Sequence, residues 1–298
     1  MPRVHRDRVS RSDRLRTVLQ AVSALLFNLH LEGWLDGTLY GGPSKAFCIP
    51  GLHCYSCPSS VLACPAGTLQ NLLAAPGGIP LISSGDPWIL AGVLGFVLLP
   101  GFVAGRTACS HICPFGFLQD ILHLVHLPPA RLPESLRKTK YAILALFVVA
   151  LPLLLRTVPG GGGDPWFCKA VCPSGTITAG WPLVAFDAGR TLHTGFLFYW
   201  KSAIALAVIL LSMSVWRPFC RYLCPLGAIW GLAGKVSLFG MGVSSSCTGC
   251  GACRRVCPMG IEIRRDPSSP ECIRCGRCIP ACPEGAIRMS VRPGKAPR

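Results

Sequence analysis

Charge is scarce in this sequence. Only 14% of its 298 residues are Asp, Glu, Lys or Arg, where a soluble domain carries about a quarter. Acidic residues are the rarer sign, 13 against 29 basic ones. The motifs of several common catalytic folds are missing too. No Gly-rich dinucleotide fingerprint follows a strand, there is no P-loop, and no Ser-His-Asp arrangement can be placed. The run "PGGGGDP" at 159–165 reads as a flexible turn, not a phosphate cradle. Nucleotide-dependent and triad chemistry are thereby set aside.

Apolar length and sulfur are present instead. Hydrophobic residues make up 51% of the chain and 18 residues are cysteine, with a positive mean hydropathy. Four stretches, 17–35, 88–105, 141–156 and 196–216, approach the ~20 residues needed to cross a hydrocarbon core. Pro152 interrupts the third, and Trp34, Trp88, Trp200 and Trp216 stand at segment ends as an aromatic belt would. The first stretch has no small-residue cleavage site and follows many arginines, so it reads as a retained anchor. Residues 1–16, 106–140 and 217–298 hold 24 of the 29 Lys and Arg, whereas 36–87 and 157–195 hold only Lys45, Lys169 and Arg190. Basic residues gather on the side that is not translocated. This predicts a multi-pass protein of a prokaryotic inner membrane with both termini in the cytoplasm. It also accounts for the net charge of +16 without a nucleic-acid partner. The predicted fold class is membrane all-α, about four transmembrane helices in a pseudo-repeat, with a small C-terminal α+β two-cluster ferredoxin domain. Its parts would be a basic N-terminus (1–16), a transmembrane domain (17–240), the ferredoxin-like domain (241–290) and a basic tail (291–298).

That last domain rests on spacing. "CTGCGACRRVCP" from 247 and "CIRCGRCIPACP" from 272 are both Cys-x2-Cys-x2-Cys-x3-Cys-Pro, the bacterial two-cluster ferredoxin pattern, in which the fourth cysteine serves the other cluster. One [4Fe–4S] cluster would take Cys247, Cys250, Cys253 and Cys282, and the second Cys272, Cys275, Cys278 and Cys257. Gly251 and Gly276 would relieve crowding beside sulfur, and Pro258 and Pro283 would fix the exit turn. Zinc is the competing metal, but its motifs pair ligands across a longer insert.

A Cys-x-x-x-Cys-Pro-x-Gly unit occurs at 109–116, 168–175 and 220–227, and its second half recurs at 64–67. Thiols four apart on a helical turn share a face. Cys109, Cys113, Cys220 and Cys224 are therefore expected to hold a cluster at the inner membrane boundary, where small buried hydrophobes are the alternative. Arg106, Arg217 and Arg221 would offset its negative charge, or simply mark the inner boundary. Cys54, Cys57, Cys64, Cys168 and Cys172 offer five ligands for a four-position cluster on the outer side. Disulfides are the alternative there, and Cys48 fits no repeat. One or two clusters are thus expected beyond the tail pair. Units alternating in orientation would resemble the inverted repeats of transporters in layout alone. His30 and Glu32 could meet a quinone headgroup, although a solvated interfacial pair is the plainer reading. His123 and His126 suit an interfacial helix, and His111 suits packing.

Through "NLHLEGW", "CYSCPSSVLACPAG", "CSHICPFGFLQDIL", "FCKAVCPSGT" and "FCRYLCPLGAIWGL", with the eight-cysteine tail, the chain resembles membrane-bound 4Fe–4S proteins of the NapH/MauN-like group. These are related to the polyferredoxin-like part of NosR. The likeness runs from about residue 17 to 290 and carries over the tail cysteines with Cys109, Cys113, Cys220 and Cys224. The outer "CYSCP" element departs from the simpler NapH pattern, and no flavin-attachment motif of the NosR type is seen. The resemblance implies an integral membrane electron-transfer protein, with a quinol-dehydrogenase-type subunit as one form, working between cytoplasmic clusters and redox partners in the membrane or outside it. The quinone pool is a candidate partner. The alternative is an assembly or maturation factor that reduces or delivers a metal centre in a partner protein.

Overall fold

The computed structural model describes residues 3–75, 87–155 apart from 126, 129 and 131, 163–187 and 194–291. His126, the glycines at 160–162 and most of the basic tail from 292 lie outside these residues.

Helix α1 runs Arg3–Leu26. After the loop that carries Cys48, Cys54 and Cys57 come α2 (Pro65–Ala74) and α3 (Pro87–Ala104), followed by the short α4 (Thr107–His111) and α5 (Pro114–Leu122). Residues 139–154 form a broken helix, α-helical at Thr139–Ile143, π-helical at Leu144–Ala150 and α-helical again at Leu151–Leu154. Helix α6 (Phe196–Ser214) leads into α7 (Pro218–Tyr222) and α8 (Pro225–Ala233). The tail opens on β1 (Phe239–Val243), holds α9 (Ala252–Val256) and α10 (Cys278–Ala281), and closes on β2 (Ile287–Val291). The two strands pair antiparallel, Phe239 against Val291 and Val243 against Ile287. Met241, Ile263 and Ile287 fill the space beneath them and touch Cys253, Cys272, Cys278 and Cys282.

The predicted bundle of about four transmembrane helices is overturned. Among the described residues only α6 is long and apolar enough to cross a membrane. The stretch 17–35 is the end of α1, whose first half is rich in arginine, and the chain leaves the helix at Leu26. In α3 the apolar part is Leu90–Ala104, short of a span. At 141–156 Pro152 cannot donate to Val148, and the preceding residues take wider i→i+5 turns. Among the described residues the fold is a mixture of three long helices, shorter ones, π turns, loops and one two-stranded sheet.

Helix α1 is also inverted relative to a water-soluble helix. Leu15, Val18, Leu19, Val22, Leu25 and Leu26 face outward, while Arg16 and Gln20 are buried. One continuous core then gathers Leu52, Cys64, Cys109, Cys113, Cys172, Cys224 and Trp230. Thiols expected on opposite membrane faces share a single interior.

The tail is fastened to this interior by cations. Arg106 donates to Pro270 O at 3.2 Å and meets Glu271 at 3.4 Å, and Lys140 Nζ reaches the same carboxylate at 2.5 Å. Arg137 donates to Met259 O at 3.2 Å and Arg221 to Pro258 O at 2.8 Å. Arg274 donates to Gly234 O at 2.6 Å and also to Phe239 O. Its backbone is left-handed, φ 53°, in the place where the first tail motif has Gly249, φ 77°. A Cβ on Gly105 would lie 2.6 Å from the Arg274 guanidinium, so that glycine keeps the channel open.

Candidate metal centres

Each Cys-Pro-x-Gly element starts a helix. Cys64, Cys113, Cys172 and Cys224 are N-caps with proline in the first turn, where the missing proline N–H costs nothing. The N3 amide then has a sulfur to bond. Gly116 N–H donates to Cys113 Sγ and Gly227 N–H to Cys224 Sγ, each at 3.4 Å. The positive end of a helix thus faces a group that becomes a thiolate on binding metal.

Cys109, Cys113, Cys220 and Cys224 are all buried and face one another, Cys113 beside Cys220 and Cys109, and Cys224 beside all three. A reciprocal crossing holds this first quartet. Arg217 donates to Cys109 O at 2.6 Å and Arg106 to Cys220 O at 2.9 Å. Each arginine lies three residues before the first cysteine of its own motif and serves the other motif. Both are buried, and Asp120 accepts from Arg217 at 2.7 and 2.5 Å. The motif glycines make room for the crossing. A Cβ on Gly116 would lie 3.1 Å from Arg217 Nη1, and one on Gly227 3.0 Å from Arg106 Nη2.

Four of the five cysteines expected on the outer side come together. Cys54, Cys64, Cys168 and Cys172 line a cavity of about 290 Å³ with His53, Tyr55 and Lys201. Cys57 turns aside, with Ser59 Oγ at 3.1 Å and its thiol donating to Thr178 O at 3.2 Å. Cys48 sits 3.4 Å from Thr68 Oγ1. None of the cysteines is paired in a disulfide. His53 is 3% exposed and its Nε2 has no hydrogen-bond partner; burial and Lys45 push its pKa down to about 4, so the ring is neutral.

The two quartets are built alike. Gln119 donates to Cys220 Sγ at 3.1 Å and accepts from Phe219 N–H at 3.1 Å. Gln70 donates to Cys168 Sγ at 3.3 Å and accepts from Phe167 N–H at 2.8 Å. Both glutamines stand six residues after the capping cysteine of the opposing motif. The sequence places Gln70 and Gln119 at the same distance from Cys64 and Cys113, a match that spacing alone does not turn into a role. His53 belongs to no repeat, so the sequence gives no signal for it.

The quartets do not occupy opposite faces of a bilayer. Leu52 N–H donates to Cys113 Sγ at 3.3 Å, and Leu52 also lines the cavity of the second quartet. From Leu52 to Cys54 the chain can span at most roughly 7 Å, far less than the ~30 Å of a hydrocarbon core. The stretch at Gly51 and Leu52, in a loop expected on the outer side, lies against Cys113 and Pro114 at the start of α5.

In the tail, Cys247, Cys250, Cys253 and Cys282 line one cleft, and Cys257, Cys272, Cys275 and Cys278 line another that Cys253 also borders. Gly251 and Gly276 have φ of 70° and 80°, the left-handed turn that brings backbone close to sulfur. Burial pushes Cys272 up to about 11. Its thiol therefore stays protonated until a metal displaces the proton. Among the described residues no three His, Cys, Asp or Glu converge as the ligands of a single ion do. Thiols ranged around a space, not a point, suit a multi-iron cluster better than zinc.

His30 and Glu32 stand apart from these sites. His30 Nδ1 lies 2.8 Å from Pro58 O and its ring tilts over Tyr40; Glu32 is exposed before a short helix. His123 Nδ1 is 2.9 Å from Ser212 O, and His111 Nδ1 is 2.6 Å from Ser110 Oγ.

The 4Fe-4S binding domain family matches residues 86–131 and 197–244, and the 4Fe-4S dicluster domain family matches 239–293. MauN, a methylamine utilization ferredoxin-type protein of Methylorubrum extorquens, is 30% identical over 66% of this chain and 60% of its own length. The regulatory protein NosR of Pseudomonas aeruginosa is 30% identical over 44% of this chain and 17% of its own length. YccM of Escherichia coli, a putative electron transport protein, is 26% identical over 67% of this chain and 54% of its own length. No solved structure matches the chain. Ferredoxin-type and electron-transport relatives support an iron–sulfur electron-transfer role. The two family models, with MauN and NosR among the relatives, support placing the chain in an iron–sulfur, polyferredoxin-like group.

Proposed function

We propose that the chain is a membrane-seated electron-transfer protein with four thiol sites in one body, two in the tail and two in the helical part, exchanging electrons with redox protein partners. A bound [4Fe–4S] cluster supplies one-electron redox chemistry. The residues of the chain hold the sulfurs, aim N–H groups at them and shield them from water. The observation that carries the reading is the first quartet, where four buried thiols from two matching motifs meet beneath two buried arginines. Arg106 also bonds the tail at Pro270 and Glu271, two residues or fewer from Cys272. A membrane seat is supported by α6 and by the outward apolar face of α1.

The test is an iron and sulfide count on anaerobically purified protein. The reading expects about sixteen iron atoms per chain, and about eight if only the tail is loaded. Substituting Cys113 or Cys172 by serine should then remove about four irons each and leave the tail signals in place. Eight irons in the parent protein would defeat the helical sites.

A further inference from the structure

We infer that the segment Gly51–Leu52–His53 is the coupling link between the two thiol quartets of the helical part, holding them within direct electron-exchange distance. This rests on the proposed function above and adds which residues join its centres. Three observations meet on the segment. Leu52 N–H donates to Cys113 Sγ of the first quartet at 3.3 Å, and its carbonyl lies 3.9 Å from the same sulfur. Leu52, His53 and Cys54 in turn form one wall of the cavity where Cys64, Cys168 and Cys172 lie, with the His53 amide turned toward Cys64. One backbone stretch therefore touches sulfur ligands of both sites.

Gly51 makes that approach possible. A Cβ there would meet Cys113 Cα at 3.0 Å, Cys113 Cβ at 3.3 Å and Pro114 Cδ at 3.4 Å. The obstacles are backbone and a rigid ring, which cannot swing aside as a long side chain would. Ile49 N–H is bonded to Ala63 O at 3.0 Å, and Ile49 is buried. The segment is thus held from behind while it leans on the start of α5. The exchange moves one electron: one centre is oxidised, the other is reduced, and no bond or proton moves.

The test uses the holoprotein and electron paramagnetic resonance of the fully reduced state. In the parent protein the two helical-part centres should show mutual magnetic splitting, since the path from Cys113 Sγ through the Leu52 N–H contact to Cys54 is on the order of 10 Å. Gly51→Ala should keep the iron and sulfide content, narrow that splitting and lower the midpoint potential of the centre that loses the Leu52 N–H bond. If Gly51→Ala fails to load, the pulsed dipolar distance in the parent protein decides: a short separation sustains the link and a separation approaching the membrane thickness overturns it. Full iron content with no splitting in the parent sinks this inference alone. Iron sufficient only for the tail sinks it together with the proposed function. An unchanged splitting and potential in a loaded Gly51→Ala protein also overturns it.

Discussion

At the scale of single residues, the two glutamines show how a repeat turns into chemistry. Gln119 and Gln70 each use both ends of one amide, giving a proton to sulfur and taking one from a backbone N–H. Donors to sulfur favour the more negative, reduced cluster and so raise its potential. Gln119→Leu should keep the volume, leave Phe219 N–H unpaired at about 1–3 kcal/mol and lower one midpoint potential by on the order of 50 mV, since 59 mV is a tenfold change for one electron. A redox titration followed by EPR checks this; a loaded protein with unmoved potentials would refute the sulfur contact. Cys57 and Cys48 give the opposite expectation. Both bond elsewhere, so Cys57→Ser and Cys48→Ser should retain the full iron count while Cys172→Ser loses iron. Spacing in the sequence identified which cysteines recur, but it could not choose four of five in the second group. That choice depends on how a loop with no regular period folds back, and nothing local encodes it.

At the scale of elements, Cys-Pro-x-Gly is a helix start built around sulfur: cap, proline, free position, and a glycine whose amide bonds the cap. Gly116 and Gly227 have a second duty that a single motif cannot reveal, because the arginine each accommodates belongs to the other copy. The docking of the tail is likewise invisible in one dimension. Glu271 lies between Arg106 and Lys140, both fully buried. Removing one partner of a buried ion pair costs about 3–5 kcal/mol, because the remaining charge stays desolvated. Glu271→Ala should therefore loosen the tail, seen as faster limited proteolysis near residues 234–240 and a lower unfolding temperature. Glu271→Gln, which still accepts hydrogen bonds, should lose less. Equal stability of both variants to the parent would show that the arginine contacts to Pro258, Met259 and Pro270 carry the docking alone.

For the whole molecule, hydropathy and charge point to four spanning segments where only α6, among the described residues, is long and apolar enough to span. The rule that basic loops stay inside orders the loops by side, yet the loop bearing Cys54 folds back against Cys113 at the start of α5, and thiols expected on two faces share one interior. What survives is the outward apolar surface. On α1 Leu15, Val18, Leu19, Val22, Leu25 and Leu26 face out and Arg16 and Gln20 face in, a distribution that water would not favour but hydrocarbon would. The two media make different predictions for one substitution. Val22 is 48% exposed. If water lies beyond it, Val22→Lys is an ordinary surface change within about 0.5 kcal/mol. If lipid lies beyond it, placing a lysine there costs up to about 3 kcal/mol, less if the chain snorkels to the interface. Doubling the change with Leu19→Lys should then release the protein from alkaline-washed membranes or abolish its accumulation there. Arg14→Leu, at an exposed position one to two turns back on the same helix, should be retained. Unchanged membrane retention of the double lysine variant, with iron content intact, would place α1 in water and leave α6 alone to account for any membrane seat.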